Sequence, residues 1–430
     1  MGCASSSTVG AGGVDVVTAG TLDHHSTSTP STRSTPAEVI PAGAQFHREY
    51  VLTGKIGKGA FAQVYSVRRA SSHVEDRTLA VKIMDLRRDR NAKPRSHLEE
   101  FDTKRKQTVQ TEAAILERVA NLKHCIQIYD FFVEGCFSYI VMERCDRTLL
   151  QVLEGGPVLN EQSVKPIFRE MMEALAAIHA LGVVHRDVKP DNFLCAGDAL
   201  SVKLCDFGLA SVMPASGEGM LSGVYGTPPF MSPEMLVADG YDSSTDVWSL
   251  GVIIYVIVLG RFPYRPTENT GKAMKAAIKA GIPEPTFKLN PRLETPGCVG
   301  TSLSAIELLV ELLMRDPLQR PSASCALRMP WFCEQTTAED GRSLASLRPM
   351  LHCAKRAGAF DPPRNEKEVD KTGLDGVILE LQVKHNRSSA SPAKGLRLPP
   401  STASTESGSL CTSVRSGQSS LEFQAPGIVN

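Results

Sequence analysis

The first segment whose residue types could do chemistry is rich in glycine and follows a short apolar run. It reads Ile56-Gly57-Lys58-Gly59-Ala60-Phe61-Ala62-Gln63-Val64. Two glycines separated by one residue let the main chain approach a phosphate group and present N–H groups to it. Ala62 stands where such a segment usually has a third glycine, and it is small enough to permit the same approach. Taken alone, a segment of this kind is more often just a turn.

A lysine in a predicted strand is the second candidate. Lys82 lies in the apolar run Leu79–Met84, which predicts a strand. A buried ammonium group requires a partner, because its transfer out of water is costly. Glu112, on the next predicted helix, is a candidate for that ion pair. The alternative is a lysine at the strand edge whose amine reaches water.

The third segment is dense in polar residues. It reads His185-Arg186-Asp187-Val188-Lys189-Pro190-Asp191-Asn192, and Asp206-Phe207-Gly208 follows it. With the glycine-rich segment and Lys82 before it, this order of motifs resembles the signature set of eukaryotic protein kinases. The resemblance covers residues 50–332 and continues through Gly226-Thr227-Pro228-Pro229, Ser232-Pro233-Glu234, Asp246 to Gly251, and Arg320.

The resemblance implies a role for each polar residue of these motifs. Lys82 would hold the α- and β-phosphates of ATP, and Glu112 would hold Lys82. Asp187 would orient the substrate hydroxyl and accept its proton, and Lys189 would steady the γ-phosphate. Thr227 would hydrogen-bond near both of them.

The resemblance also implies a nucleotide site and a metal site. Asp206 and Asn192 would bind Mg²⁺ ions that bridge the phosphates, because this cation prefers oxygen ligands. Met142 would lie at the back of the adenine pocket, followed by a hinge at 143–145. The other implied nucleotide-binding residues are Ile56, Gly57, Lys58, Gly59, Ala60, Phe61, Ala62, Val64, Ala80, Lys82, Glu143, Cys145 and Leu194.

Two features narrow the expected activity. Lys189, two residues after Asp187, and Gly226-Thr227-Pro228-Pro229 are similar to kinases that phosphorylate serine and threonine. Residues 246–264 and 315–332 are most similar to the calcium/calmodulin-dependent and calcium-dependent group. The alternative is a membrane-tethered pseudokinase scaffold, against which the presence of Lys82, Asp187 and Asp206 argues.

Composition is typical of a soluble globular protein and gives no sign of nucleic-acid binding. The 430 residues are 42% hydrophobic and 22% charged, with 47 basic and 47 acidic side chains. The eleven cysteines form no C-x-x-C pairs, so neither zinc nor disulfides are indicated. No secretory signal is visible, and the apolar stretch 251–260 is about half as long as a membrane span. These features predict a cytoplasmic protein.

Residue patterns divide the kinase-like region into two parts. Strands are predicted at 50–56, 64–67, 79–84 and 137–142. From Phe168 onward, apolar residues at i, i+3, i+4 and i+7 predict helices. The expected class is α+β, a bilobal protein kinase-like fold with a β-rich small lobe at 50–143 and a helical large lobe at 147–332.

The terminal segments are rich in small and polar residues. An N-terminal tail, 1–49, and most of a C-terminal tail, 333–430, are predicted to be disordered. The start, Met1-Gly2-Cys3-Ala4-Ser5-Ser6, matches the N-myristoylation pattern at Gly2, and Cys3 is a candidate for palmitoylation. Two lipid chains would attach the kinase to a membrane.

Two further segments are candidates for regulation. In kinases an arginine placed like Arg186 often receives a phosphate from the activation segment, here 206–234; Ser222 is the best-placed acceptor and Ser216 is less well placed. The alternative is a segment that folds without phosphate.

The stretch 342–357 is basic and carries Leu344, Leu347 and Leu351, the pattern of a helix that binds a calmodulin-like activator. Pro349 interrupts it, which favours an ordinary basic helix or coil.

Overall fold

The structure, a computed structural model, describes residues 46–58, 62–71, 79–87, 102–197, 201–215, 219–237, 240–288, 301–334 and 345–361. Within these ranges a β-sheet lobe is followed by a mainly helical lobe, which confirms the expected α+β, bilobal arrangement. Gly59, Ala60, Phe61, Gly2, Cys3, Ser216 and Leu344 lie outside the described residues.

The small lobe is built from a short helix, five antiparallel strands and a longer helix. These are α1 (Phe46–Glu49), β1 (Tyr50–Lys58), β2 (Ala62–Arg69), β3 (Leu79–Asp85), α2 (Thr103–Arg118), β4 (Ile128–Glu134) and β5 (Phe137–Glu143). The strand order in the sheet is β1-β2-β3-β5-β4. Asp102 caps the N-terminus of helix α2, because its carboxylate accepts hydrogen bonds from two backbone N–H groups of the first turn.

The packed chain begins before residue 50. Phe46 of α1 is fully buried, and its ring stacks on Tyr139 with 4.3 Å between the ring centroids. Tyr50 and Phe132 complete this aromatic cluster on one face of the sheet. Phe46 and His47, placed in the tail by their sequence position, therefore belong to the buried part of the small lobe.

The large lobe contains nine helices within the described residues. They are α3 (Leu149–Gly155), α4 (Glu161–Ala180), α5 (Pro233–Val237), α6 (Ser244–Leu259), α7 (Gly271–Ala280), α8 (Leu303–Leu312), α9 (Ala323–Ala326), α10 (Pro330–Cys333) and α11 (Arg348–Arg356). Its short strands are β6 (Arg147–Thr148), β7 (Val183–Val184), β8 (Phe193–Ala196), β9 (Ser201–Leu204) and β10 (Ser211–Val212). Strands β6, β8 and β9 form one small sheet and β7 pairs with β10. Single 3-10 turns lie at 190–192, 207–209 and 228–230.

Helix α6 lies at the centre of the large-lobe core. Every residue from Thr245 to Leu259 is buried, so the apolar stretch 251–260 is part of a buried helix. Gly251 permits close packing, because a Cβ at this position would lie 2.9 Å from Leu312 Cβ of α8. Among the described residues, no helix is both long enough and apolar enough to cross a membrane.

Helix α11 packs against α6 beyond the expected end of the domain. Leu347, Met350, Leu351 and Ala354 are all buried. The backbone N–H of Leu347 donates to the carbonyl of Leu159 over 2.7 Å. Residues 345–361 thus pack onto the large lobe, and the leucines that suggested a calmodulin-binding face at 347 and 351 are covered by that lobe itself.

The proline in this segment does not interrupt the helix. Pro349 occupies the first turn of α11, which begins at Arg348. The N–H that proline lacks would have no partner within the helix at that position, so proline is favoured there. Lys355, in the last turn of α11, forms an ion pair with Glu154 of α3.

Helix α11 should contribute to the stability of the large lobe. We expect Leu351→Ala to lower the free energy of unfolding by about 2–5 kcal/mol, because it leaves a cavity between α11 and the lobe. The exposed neighbour His352→Ala should change it by less than about 0.5 kcal/mol. Urea unfolding followed by tryptophan fluorescence measures both, and equal effects of the two substitutions would contradict the packed helix.

Candidate functional site

The polar motif at 185–192 forms a loop whose start is fixed by one buried carboxylate. Asp246 of α6 accepts hydrogen bonds from the backbone N–H of His185 (2.8 Å, Oδ2) and of Arg186 (2.9 Å, Oδ1). Its Oδ2 also lies 2.9 Å from Nε2 of His179. Arg186 has a positive φ of 65°, a conformation that non-glycine residues rarely adopt. The two bonds to Asp246 hold the chain in this unusual turn.

The charge of Asp246 is retained in spite of its complete burial. Burial by itself would raise the pKa of this carboxyl group. The hydrogen bond and positive charge of His179, with a smaller contribution from His185, lower the pKa below its ordinary value instead. Asp246 therefore acts as an ionised acceptor for the loop.

The turn places Asp187 in a cluster of four polar side chains. Its Oδ1 accepts a hydrogen bond from Thr227 Oγ1 (2.8 Å), and its Oδ2 accepts one from Lys189 Nζ (2.6 Å). Lys189 Nζ also lies 3.3 Å from Thr227 Oγ1. Asn192 Nδ2 donates to the backbone carbonyl of Asp187 (2.8 Å). The carboxylate of Asp187 is thus fixed at both oxygens.

Lys82 forms a second polar cluster between the lobes. Its Nζ lies 2.6 Å from Glu112 Oε1 on α2 and 2.8 Å from Asp206 Oδ1. Burial by itself would lower the pKa of Lys82, but the two carboxylates raise it above its ordinary value. The geometry therefore supports the ion pair between Lys82 and Glu112 and not the alternative, in which the amine of Lys82 reaches bulk water.

Asp206 faces the space between the two clusters. It has a positive φ of 60°, and half of its side chain is exposed. The charge of Lys82 lowers the pKa of this carboxyl group to about 2. The next residue, Phe207, is buried with its ring edge against His185, 5.0 Å between centroids. This contact joins Asp206 to the loop that carries Asp187.

The donor atoms between the clusters suit a hard cation. Asp206 supplies a carboxylate and Asn192 an amide oxygen, the ligand types that Mg²⁺ prefers. Within the described residues, no group of three or more His, Cys, Asp and Glu side chains could hold a metal ion. A site with so few protein ligands fits a cation that takes its remaining ligands from phosphate and water.

Part of the expected nucleotide pocket is an ordered patch of the sheet. Val64 lies opposite Lys82 in the β2–β3 pairing, and Ala80 lies opposite Met142 in the β3–β5 pairing. Since side chains two residues apart share a face, Ala80 and Val64 lie on the face from which Lys82 reaches toward the large lobe. Ala80 is buried, and Val64 and Met142 are partly buried.

The other predicted nucleotide-binding residues surround this patch. Ala62 is buried at the start of β2, whereas Ile56 of β1 is exposed. Gly57 lies against Val64, since a Cβ at 57 would be 3.5 Å from that side chain. Lys58 ends β1.

At the hinge, Glu143 Oε2 pairs with Lys203 Nζ at 3.1 Å. Burial and the charge of Glu143 raise the pKa of Cys145 to about 12, so this thiol is not ionised near neutral pH. Leu194, on β8, is partly buried opposite Thr148.

Comparisons with known proteins agree with this geometry. A family model described as "Protein kinase domain" matches residues 50–332. The chain belongs to the protein kinase family.

Among its relatives are CDPK-related kinase 8 of Arabidopsis thaliana, which is 30% identical over 67% of this chain and 44% of the relative. Serine/threonine-protein kinase PEPKR2 of the same plant is 29% identical over 78% of this chain and 63% of the relative. Serine/threonine-protein kinase PLK2 of Rattus norvegicus is 29% identical over 71% of this chain and 41% of the relative. The chain thus spans less than two thirds of the length of each of these relatives.

The far end of the activation segment of this kinase is fixed by an ion pair. Arg320 Nη1 and Nη2 lie 2.7 and 3.1 Å from the two oxygens of Glu234, and both side chains are buried. The pair joins two of the motifs that carry the resemblance, 232–234 and Arg320. Ser232 is fully buried and shares a 2.7 Å hydrogen bond with Thr245.

Sequence reasoning assigned no role to Asp246, although this residue positions the loop at 185–192. A signal was present, because a carboxylate near the start of a mostly apolar helix must find partners when it is buried. Ser222, the predicted phosphate acceptor, is exposed in the activation segment.

Asp246 should stabilise the kinase in a manner that depends on pH. Replacing it with asparagine leaves one backbone N–H without its charged acceptor, so we expect Asp246→Asn to lower the free energy of unfolding by about 2–3 kcal/mol at neutral pH. Because the pKa of Asp246 is lower in the folded state, this difference should be complete above the ordinary value of 3.8 and shrink as the pH falls below it.

Chemical unfolding of both forms at a series of pH values measures this difference. Glu117→Gln, at an exposed position of α2, is the control for loss of one carboxylate. A difference between Asp246→Asn and the unmutated kinase that grows on acidification would contradict the assignment.

Proposed function

We propose that this kinase transfers the γ-phosphate of Mg-ATP to serine and threonine hydroxyls of other proteins, with Asp187 as the catalytic base. The observation that carries the proposal is the double contact of Lys82 with Glu112 and Asp206. It brings together strand β3 and helix α2 of the small lobe with the large lobe at the point where phosphates would be held. A pseudokinase scaffold has no need for this arrangement.

Phosphoryl transfer depends mainly on position and on neutralisation of charge. Lys82 is held so that its ammonium group neutralises phosphate oxygens. Lys189, hydrogen-bonded to Asp187, places a second positive charge on the other side of the reacting group. Together the two lysines oppose the negative charge that spreads over the transferred oxygens.

A divalent metal ion, when bound, would supply positive charge that neutralises phosphate oxygens. Asp206 and Asn192 are the residues that would hold it, and the low pKa of Asp206 keeps its carboxylate ionised for this purpose. Mg²⁺ is the cation that two oxygen ligands and a polyphosphate suit best.

The oxygen of the substrate hydroxyl would attack the γ-phosphorus and ADP would leave. Asp187 would receive the proton of that hydroxyl. Thr227 and Lys189 fix the carboxylate during this step, one at each oxygen. The hydroxyl of Thr227 also connects the base to the activation segment. A serine or threonine acceptor is supported by Lys189 and Thr227 in these positions and by the two relatives PEPKR2 and PLK2, both named serine/threonine-protein kinases.

Asp187→Asn tests the catalytic proposal. We expect the rate of phosphate transfer from Mg-ATP to a panel of serine and threonine peptides to fall about 10²–10⁴-fold, because the base can no longer accept a proton. Binding of Mg-ATP should remain, since Lys82, Glu112 and Asp206 are unchanged. Calorimetry measures that binding.

Asp316→Asn, on an exposed turn of the large lobe, is the matched control and should transfer phosphate normally. Full activity of Asp187→Asn would remove the assignment of the base. Absence of transfer by the unmutated kinase in spite of nucleotide binding would favour the scaffold.

We also propose that the kinase is a cytoplasmic protein attached to membranes through lipids on Gly2 and Cys3. The support is the M-G-x-x-x-[ST] pattern at residues 1–6. A single myristoyl chain binds membranes only marginally, so the adjacent cysteine matters.

Gly2→Ala should therefore move the kinase from the membrane fraction to the cytosol of expressing cells, and Cys3→Ser should do so in part. Fractionation with quantitative blotting measures the distribution. Ser7→Ala, outside the pattern, is the control, and an unchanged distribution of Gly2→Ala would exclude this lipid anchor.

A further inference from the structure

We propose that Tyr225 and Arg186 hold the activation segment of this kinase in its working position without a phosphate. Arg186 precedes the proposed base, and Tyr225 lies two residues before Thr227. The proposal concerns the regulation of the same site and rests on the proposed function.

The guanidinium group of Arg186 already has partners within the protein. Its Nε donates to the carbonyl of Leu209 over 2.7 Å, and its Nη1 lies 3.5 Å from the hydroxyl of Tyr241. Its Cζ lies 4.2 Å from the ring centroid of Tyr225, well within the distance of a cation–π contact. An arginine engaged on one face and at two nitrogens has less capacity left to receive a phosphate.

The main chain beside Tyr225 is shaped to accept its ring. Gly223 has a φ of 89°, and a Cβ at this position would come within 2.7 Å of Tyr225 Cε2. A side chain at 223 would therefore displace the ring from Arg186. The residue that touches the ring is a glycine, which carries no hydroxyl that could accept a phosphate.

Three successive residues of the segment contact the catalytic loop. Tyr225 covers Arg186, and Gly226 lies so close that a Cβ there would be 2.5 Å from the carbonyl oxygen of Arg186. Thr227 donates to Asp187. Because these contacts are consecutive, the position of the Tyr225 ring determines where the Thr227 hydroxyl meets the base.

The preceding part of the segment is attached through main-chain groups. Leu221 and Tyr241 exchange two backbone hydrogen bonds of 3.0 and 2.9 Å. The hydroxyl of Tyr241 donates to the carbonyl of Ser222 over 3.3 Å. Ser222 is thus held by its carbonyl while its side chain is exposed, so its position does not depend on a charged group at its hydroxyl.

Kinetics of the dephosphorylated kinase test the proposal. The full chain is treated with phosphatase until intact mass shows no phosphate, and kcat and KM are measured for peptide and ATP. We expect the dephosphorylated kinase and Ser222→Ala to be fully active. Tyr225→Ala should lower kcat about tenfold, the size of a half-buried cation–π contact, with KM for ATP unchanged. Tyr225→Phe, which keeps the ring, should restore most of this loss.

A double-mutant cycle separates action through Arg186 from a direct contact with the peptide. If Tyr225 acts through Arg186, Tyr225→Ala should add little to the effect of Arg186→Gln. Additive losses, or a rise in KM for the peptide alone, would overturn the proposal. So would an inactive dephosphorylated kinase or an inactive Ser222→Ala.

Hydrogen exchange gives a readout that does not require activity. We expect the amides of residues 219–226 to exchange faster in Tyr225→Ala than in Tyr225→Phe, while helix α6 stays protected in both. If the unmutated kinase transfers no phosphate at all, the proposed function fails, and this comparison still decides whether the ring holds the segment. Equal exchange in the two variants would overturn the proposal in either case.

Discussion

The buried carboxylate of Asp246 is the constraint on which the arrangement of the site depends. A peptide chain does not readily adopt the positive φ of Arg186, and two hydrogen bonds from consecutive amides to one carboxylate stabilise it there. This turn directs the side chain of Arg186 toward the activation segment and that of Asp187 toward the cleft. Helix α6, buried on all sides, gives the carboxylate a rigid base.

From this turn the constraint reaches the nucleotide side of the cleft. The His185 ring lies 3.0 Å from the carbonyl of Cys205 and against Phe207, so the two residues beside Asp206 are fixed relative to the loop. Asp206 then meets Lys82, whose other partner is Glu112 on α2. Each of these three charged side chains is stabilised by a neighbour on a different element. The site is therefore complete only when β3 and α2 of the small lobe are in contact with the large lobe.

Much of this could be predicted from the sequence because it depends on local pattern. The apolar run around Lys82 predicted β3, and the need of a buried ammonium for a partner made Glu112 a candidate. The role of α11 could not be predicted in the same way, since Pro349 breaks a helix in its interior but starts one at its first turn. Whether the helix begins before or after the proline is decided by packing against α6. The contact of Tyr225 with Arg186 joins residues 39 positions apart through a folded loop, and no periodicity reports it.

The activation segment is fixed at Glu234 and at Tyr225 by interactions of different strength. At Glu234 the chain is held by a buried ion pair in which Arg320 also donates to the carbonyls of Ser244 and Met314, so its N–H groups are well satisfied. At Tyr225 it is held by an aromatic ring that is 39% exposed. A buried, fully hydrogen-bonded pair is costly to break, whereas a partly exposed ring can leave its place at little cost. Any movement of the segment should therefore begin at Tyr225, next to the hydroxyl of Thr227 that positions the base.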